Sequence, residues 1–251
     1  MTDDAAKKPT IEKSKADKEI LIPEGHQLGE EFGLPQRIFY FIWWWIVWTI
    51  GKVYFRVSIT GHENVPTRGA FIVSPIHRSN LDTPVMALVT KRRVRFMGKE
   101  SLWKTRFGAW YFTNLGGFPV DRGTADRGAI KAAMTVIERG EPVVMFPEGT
   151  RQFGPTVCEM FDGPAYIASK AQIPIVPVGL GGTERAMGKG AKIPRPTRIT
   201  MVIGEPIMPE PNTEGGRVPR RQVRELTELL GERIQVLFDE AQERAGTPNR
   251  R

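Results

Sequence analysis

Short apolar runs alternate with helical patterns along most of the chain. Runs rich in β-branched or aromatic residues, bounded by Gly and Pro, predict seven strands, at 55–60, 70–75, 94–98, 118–120, 143–146, 173–178 and 198–204. Between and after them, apolar residues at helical spacing predict helices at 81–90, near 103–113, at 124–139, 163–171 and about 217–245. This alternation predicts an α/β fold in which helices flank a largely parallel or mixed central sheet.

A Trp-rich apolar segment precedes these elements. Residues 38–51 carry no charged side chain and include Trp43, Trp44, Trp45 and Trp48. The run is shorter than the roughly 20 apolar residues that a membrane-spanning helix needs. Clustered indole rings cannot all face one core, which favours a membrane-interface helix at 37–54 over a buried core helix. Residues 1–36 are polar and poor in apolar periodicity, so we expect a disordered or loosely attached tail.

Composition and charge narrow the range of possible partners. The 251 residues have a net charge of +8, with one Cys and three His. A single Cys excludes an intramolecular disulfide framework and is typical of a reducing compartment, and so few Cys and His make a dedicated zinc site improbable. The positive excess lies on residues 38–216 rather than on the tail. This distribution indicates an anionic partner, such as a phosphate, a nucleic acid or an acidic lipid surface, without choosing among them.

Polar residues with catalytic potential follow the strand predicted at 70–75. The loop HRSNLD places His77 five residues before Asp82, so a turn can fold the carboxylate onto one imidazole nitrogen. The other nitrogen is then free to accept a proton from a substrate hydroxyl. The alternative is that Asp82 caps the following helix and His77 is an ordinary loop residue.

Two further strand ends carry basic residues. The strand at 143–146 leads into PEGTR, which ends at Arg151, and the strand at 118–120 leads into Asp121 and Arg122. The planar guanidinium group suits phosphate recognition. Each Arg alone is compatible with a solvated turn. Together with the His-Asp loop, they indicate one site at the carboxyl edge of the sheet.

The motifs HRSNLD, GGFPVDR, FPEGTR and IPIVPV occur in this order between His77 and Val178. The set resembles the four blocks of the glycerophospholipid acyltransferases, most closely the bacterial 1-acyl-sn-glycerol-3-phosphate acyltransferases, over roughly residues 55–205. The resemblance implies that residues 55–251 form an acyltransferase domain that moves a fatty acyl group from a thioester to a hydroxyl of lysophosphatidic acid. The alternatives are another acceptor, namely glycerol 3-phosphate or another lysophospholipid, or a non-catalytic basic lipid-binding module. No G-x-S-x-G motif occurs, which argues against a serine-type lipid esterase.

The same resemblance implies individual roles. His77 is the expected general base and Asp82 its orienting partner. The residues expected to bind the substrate phosphate are Lys99, Arg122 and Arg151, and those expected to shape the acceptor pocket are Glu148, Gly149 and Thr150. Many family members carry a Phe-Lys pair where this chain has Phe161 and Asp162. A carboxylate beside a phosphate would be repulsive, so we expect that Asp162 faces elsewhere or that the acceptor differs.

The expected partners follow from these roles. The donor is an acyl-CoA or acyl-carrier-protein thioester, used as a co-substrate, and neither a cofactor nor a metal is expected. The basic stretch at 91–106, interleaved with apolar residues, favours contact with anionic lipid over a nucleic acid. We therefore expect a monotopic enzyme on the cytoplasmic face of the cell membrane.

Overall fold

One seven-stranded sheet organises the protein. The computed structural model describes residues 33–120, 127–188, 190–212 and 218–250. The strands are β1 Ser58–Thr60, β2 Ile72–Pro75, β3 Arg95–Lys99, β4 Gly117–Val120, β5 Val143–Val144, β6 Ile175–Gly181 and β7 Thr200–Ile203, in the sheet order β1-β7-β6-β2-β5-β3-β4. Only β6 and β7 pair antiparallel among these neighbours. The predicted α/β fold with a mixed central sheet is confirmed.

Helices lie before, between and after the strands. They are α1 Leu34–Val53, α2 Asp82–Met86, α3 Arg106–Asn114, α4 Arg127–Glu138, α5 Gly163–Ala171, α6 Thr183–Met187 and α7 Arg220–Ala245. The helix predicted at 81–90 is shorter than expected, because regular α2 ends at Met86 and tighter turns follow. The short α6 was not predicted. The tail predicted at 1–36 lies outside the described residues except for 33–36, and 34–36 already belong to α1.

Helix α7 packs against β6 because two glycines allow close approach. A Cβ at Gly179 or Gly181 would collide with the α7 backbone at Leu237 or Ala241. Apolar residues at helical spacing predict that one stripe of α7 is buried, and this is confirmed except at Leu237; the stripe is Val223, Leu226, Leu230, Ile234, Leu237 and Ala241. Leu237 is only half-buried, and Phe238 takes its place as a fully buried side chain.

The four Trp residues of α1 divide between the protein and its surface. The indole Nε1 of Trp44 donates a hydrogen bond to the Ala87 carbonyl (2.9 Å), and that of Trp43 donates to the Tyr111 hydroxyl (3.1 Å). Trp45 and Trp48 are 45% and 37% exposed. None of the described helices combines the length and apolar character that crossing a membrane requires.

Part of the basic stretch at 91–106 turns into the protein. Arg92 donates hydrogen bonds to the carbonyls of Gly69 and Gly140, both at 2.7 Å. Arg95 is buried and pairs with Glu141 (3.5 Å). These arginines fasten loops at the amino-terminal edge of the sheet, so the stretch as a whole is not a continuous exposed surface.

Candidate active site

Parallel strands bring the candidate residues to one edge of the sheet. Strands β2, β3, β4, β5 and β6 share one direction, so their carboxyl ends meet at the same edge. The HRSNLD loop leaves β2, and the PEGTR loop follows β5, which lies beside β2. The sheet order therefore places the two loops next to each other.

His77 and Asp82 form a buried pair. The distance between His77 Nδ1 and Asp82 Oδ2 is 2.9 Å, and the two residues are 6% and 0% exposed. The same oxygen accepts hydrogen bonds from the main-chain N–H groups of Arg78 and Ser79, both at 2.6 Å. Asp82 thus closes its own loop rather than capping α2, whose N-cap position is Leu81. A carboxylate acceptor at Nδ1 places the proton on that nitrogen and leaves the lone pair on Nε2.

The loop after β5 holds His77 on three sides. The Phe146 ring stacks on the imidazole, with ring centroids 3.9 Å apart and an interplanar angle of 26°. The His77 main-chain N–H donates to Glu148 Oε2 (3.0 Å), and its carbonyl accepts from the Gln152 N–H (2.9 Å). The FPEGTR motif therefore supports the imidazole face and the main-chain N–H of His77, and Gln152, which follows the motif, supports its carbonyl.

Glu148 is directed into the protein. It is 2% exposed and accepts hydrogen bonds from the main-chain N–H groups of His77 and Cys158, both at 3.0 Å. Its two oxygens also accept from Arg78 Nη1, at 2.9 and 2.8 Å. The carboxylate contacts the loop at 77–82, so any influence on an acceptor pocket would pass through that loop.

The next three residues of the motif are more accessible. Gly149 has a φ of +67°, and a Cβ there would lie 2.6 Å from the Phe161 ring. Thr150 is exposed, and its hydroxyl accepts a hydrogen bond from Gln152 Nε2 (3.2 Å). Arg151 is half-buried, and within the described residues its guanidinium group makes no hydrogen bond or ion pair. A cation without a protein partner at this place is suited to an anionic substrate group.

No contact within the described residues joins the His77 loop to the other two residues expected to bind phosphate, Lys99 and Arg122. Lys99 ends β3 and is exposed, on the same sheet edge as the His77 loop but with no direct contact to it. Arg122 lies outside the described residues. Contacts thus join His77, Asp82 and Glu148 with the loop that carries Gly149, Thr150 and Arg151, whereas Lys99 is placed only by the sheet topology.

Sequence reasoning assigned no role to three residues at this edge: Arg78, Phe146 and Glu184. Glu184 lies on α6, which follows β6. A hydrogen bond from Ser79 Oγ to the Met187 carbonyl (2.7 Å) joins α6 to the HRSNLD loop. Burial raises the pKa of Glu184, while Arg78 lowers it and Asp82 raises it further. The sequence could have pointed to Glu184, because it follows β6, whose carboxyl end lies at the same edge of the sheet as that of β2.

Asp162 faces away from the candidate site. It is exposed, and its Oδ1 accepts a hydrogen bond from Thr227 Oγ1 on α7 (2.8 Å). Of the two explanations for this departure from the family pattern, the structure supports the one in which Asp162 faces elsewhere. In the part of the chain that the structure describes, no three His, Cys, Asp or Glu side chains form a metal-binding group.

Comparisons with known proteins identify the family of this chain. A family model described as "Acyltransferase" matches residues 56–181, half of the chain. The chain is 24% identical over 183 residues to a 1-acyl-sn-glycerol-3-phosphate acyltransferase of Bacillus subtilis, covering 72% of this chain and 87% of that protein. It is 31% identical over 165 residues to a protein of the same name from Cocos nucifera, covering 64% of this chain and about half (52%) of the plant protein.

A solved structure shares the fold. The crystal structure of the 1-acyl-sn-glycerophosphate (LPA) acyltransferase PlsC from Thermotoga maritima superimposes with a TM-score of 0.63 at 26% identity, covering 82% of this chain and 83% of that one. The family match spans both the His77–Asp82 pair and the FPEGTR loop. The chain therefore belongs to the acyltransferase family and is an acyltransferase enzyme.

Proposed function

We propose that this enzyme transfers a fatty acyl group from an acyl thioester to the free hydroxyl of lysophosphatidic acid, forming phosphatidic acid. The observation that carries the proposal is the buried His77–Asp82 pair, whose 2.9 Å contact orients the imidazole beside the loop that carries Arg151, a cation with no ion pair among the described residues. Relatives named 1-acyl-sn-glycerol-3-phosphate acyltransferase support the choice of acceptor.

The chemistry is a direct transfer assisted by one base. His77 Nε2 removes the proton of the acceptor hydroxyl as the oxygen attacks the thioester carbonyl carbon. Asp82 stabilises the imidazolium that forms. The C–S bond then breaks, and the departing thiolate takes the proton from His77, which leaves an ester and a free thiol. The step needs no acyl-enzyme and consumes no cofactor, and the thiol belongs to coenzyme A or to acyl-carrier protein.

Arginine and lysine side chains bind the acceptor phosphate. Arg151 offers a guanidinium fork beside the His77 loop, and Lys99 and Arg122 are the other two cations of the proposed phosphate site. Gly149 and Thr150 form the accessible part of the FPEGTR loop next to it. Glycerol 3-phosphate and other lysophospholipids share a phosphate and a hydroxyl with lysophosphatidic acid, so they are the alternative acceptors.

Acceptor-dependent thiol release tests the function. The purified enzyme in detergent micelles is given acyl-CoA or acyl-carrier-protein thioester with lysophosphatidic acid, glycerol 3-phosphate or lysophosphatidylcholine, and radiolabelled products are identified. We expect thiol release and phosphatidic acid only with lysophosphatidic acid. His77→Ala should abolish release at a nearly unchanged melting temperature. A folded native enzyme that releases no thiol with lysophosphatidic acid would refute the proposal.

We propose further that the enzyme lies on the cytoplasmic face of the membrane, attached through the outward face of α1. That face is apolar, and its exposed side chains include Phe41, Ile42, Trp45, Ile46 and Ile50. Two aromatic side chains of α3, Phe107 and Trp110, are also exposed and extend it, because Trp110 packs against Phe39 of α1 at 5.1 Å. An apolar face that ends in aromatic side chains is typical of a helix lying in the headgroup region.

Vesicle flotation tests this attachment. The double variant Phe41→Ser/Ile46→Ser should float less with anionic phosphatidylglycerol vesicles than the native enzyme does. Val236→Ser, which alters an exposed apolar side chain of α7, is the control and should float normally. Equal flotation of the native enzyme and the double variant would contradict the proposal.

A further inference from the structure

We propose that Arg78 is a positioning residue that fixes the His77 base and the 150–158 loop, which carries Arg151, in one arrangement. The inference rests on the proposed function, because it assigns Arg78 an effect on both the base and the acceptor phosphate. Neither the resemblance nor the general chemistry of the His-Asp pair requires a particular residue at this position.

The Arg78 guanidinium group links two loops. Its Nη1 donates to both oxygens of Glu148 (2.9 and 2.8 Å) and to the His77 carbonyl (3.1 Å). Its Nη2 donates to the Thr156 carbonyl (2.9 Å), and its Nε donates to the Gly154 carbonyl (3.3 Å). All three nitrogens therefore donate hydrogen bonds, to His77 and Glu148 on one side of the group and to the 150–158 loop on the other.

The environment of Arg78 favours guanidinium over ammonium. The residue is 1% exposed, and its Cζ lies 5.2 Å from the centroid of the Phe238 ring on α7. A planar group with donors in fixed directions can bind Glu148 and two separate carbonyls while it stacks on a ring. The ammonium group of lysine is a compact point charge and cannot reproduce this set of contacts.

These contacts act on the base through its main chain. Glu148, which Arg78 neutralises, accepts from the His77 N–H, and Arg78 itself donates to the His77 carbonyl. Both polar main-chain groups of His77 thus contact the Arg78–Glu148 ion pair, and the carbonyl is held in addition by the Gln152 N–H. Loss of the guanidinium group leaves the buried Glu148 carboxylate without these hydrogen bonds. It also releases the main chain that orients the imidazole.

The same contacts act on the phosphate site through the loop. Arg151 precedes Gln152, whose N–H is bound to the His77 carbonyl, and lies three residues before Gly154, whose carbonyl is bound to Arg78. A displaced loop therefore moves Arg151 relative to His77. The turnover number then falls and the KM for the acceptor rises together, whereas a simple loss of folded enzyme lowers turnover and leaves KM unchanged.

The test compares Arg78→Lys with a matched control. Arg95→Lys alters another buried arginine that pairs with a glutamate, Glu141, at the opposite edge of the sheet. We expect Arg78→Lys to lower kcat about 30-fold and to raise the KM for lysophosphatidic acid about 5-fold, changes that misaligned binding groups produce. Arg95→Lys should leave both parameters within about 2-fold at a similar loss of melting temperature.

A second variant and a second readout cover the other outcomes. If Arg78→Lys does not fold, Glu148→Asp, which shortens the carboxylate by one methylene, should show the same combined change. Hydrogen exchange should accelerate in both 77–82 and 150–158 in the Arg78 or Glu148 variant, but not in Arg95→Lys. This readout judges the assignment even if the native enzyme shows no activity on lysophosphatidic acid, a result that would refute the proposed function alone. An unchanged acceptor KM with reduced kcat, or exchange that accelerates in only one segment, would overturn the assignment.

Discussion

Replacing Asp82 with asparagine isolates the charge of the orienting group. Asp82 is fully buried, and its Oδ2 accepts from two main-chain N–H groups as well as facing His77 Nδ1. Those two donors require an oxygen at this position, so the amide oxygen of the new side chain will occupy it and the hydrogen bond to His77 will persist. The geometry is thereby preserved, and the negative charge that stabilises the imidazolium is lost.

The expected magnitude follows from that lost charge. A hydrogen bond that involves a charged partner contributes about 1.5–3 kcal/mol, roughly twice a neutral one. Each 1.36 kcal/mol of lost transition-state stabilisation lowers the rate about tenfold. Because the hydrogen bond persists in its neutral form, only the difference of about 1–1.5 kcal/mol is lost from the transition state, so Asp82→Asn will lower kcat by about 5- to 13-fold. The KM values for both substrates should change by less than about 3-fold, since Asp82 contacts the base rather than a binding cation.

Steady-state thiol release with lysophosphatidic acid as the varied substrate measures both parameters. Asp162→Asn is the matched control, because it makes the same substitution at an exposed carboxylate that bonds to Thr227. The control should retain kcat within about 2-fold of the native value. If Asp82→Asn retains a third or more of the native kcat while remaining folded, His77 does not act as a base oriented by Asp82.

Three further substitutions probe the edge of the site. Arg151→Lys should raise the acceptor KM about 10-fold in the same kinetic assay with an unchanged melting temperature, because the fork is lost and the charge is kept; a normal KM would reject the phosphate role. Gly149→Ala should destabilise the protein by about 1–2 kcal/mol in urea titrations, because φ is +67° and the new methyl group meets the Phe161 ring; Phe161→Ala should restore only part of this loss. Burial raises the pKa of Glu184, so the native stability that its protonated form provides is lost as pH rises through that pKa. Glu184→Gln should therefore melt higher than the native enzyme at neutral pH, with no advantage below about pH 4; a constant difference across this range would contradict the raised pKa.

The positions of the strands along the chain could be predicted from the sequence, but their order in the sheet could not. Apolar runs bounded by Gly and Pro located all seven strands, because burial on both faces of a sheet imposes that composition. Their pairing could not be obtained in this way. The antiparallel β6–β7 pair depends on where the chain returns after α6, and Gly182 to Gly190 gives no periodic signal for that path.

The His-Asp pair was predictable because its geometry is local. Five residues separate His77 from Asp82, and one turn suffices to bring them into contact. The surroundings of the pair come from distant segments: Phe146 follows β5, and Phe238 lies near the end of α7. No spacing rule predicts such contacts, since they depend on which strands become neighbours.

Arg78 and Arg151 show why charge alone did not separate structural from substrate-binding cations. Both stand in polar loops after strands, where an arginine is ordinarily solvated. Burial against the Phe238 ring and the ion pair with the buried Glu148 carboxylate direct Arg78 into the protein. Arg151 has neither within the described residues. Whether an arginine is structural or available to a substrate depends on the groups that surround it. Those groups come from distant parts of the chain and are set by the fold.

The position of Asp162 extends this reasoning to acceptor binding. The family pattern that the sequence resembles has a lysine here, whereas in this chain the carboxylate accepts a hydrogen bond from Thr227 on α7. The Asp162 carboxylate is directed toward α7 and not toward Arg151, so we expect it neither to attract nor to repel a phosphate bound there. Position 162 therefore supplies no cation to the site. Under the proposed function, the acceptor phosphate is then bound by the cations proposed for it, Arg151, Lys99 and Arg122, without a lysine at position 162. The consequence is that the acceptor KM of this enzyme should be unusually sensitive to substitution of Arg151, and insensitive to the charge at Asp162.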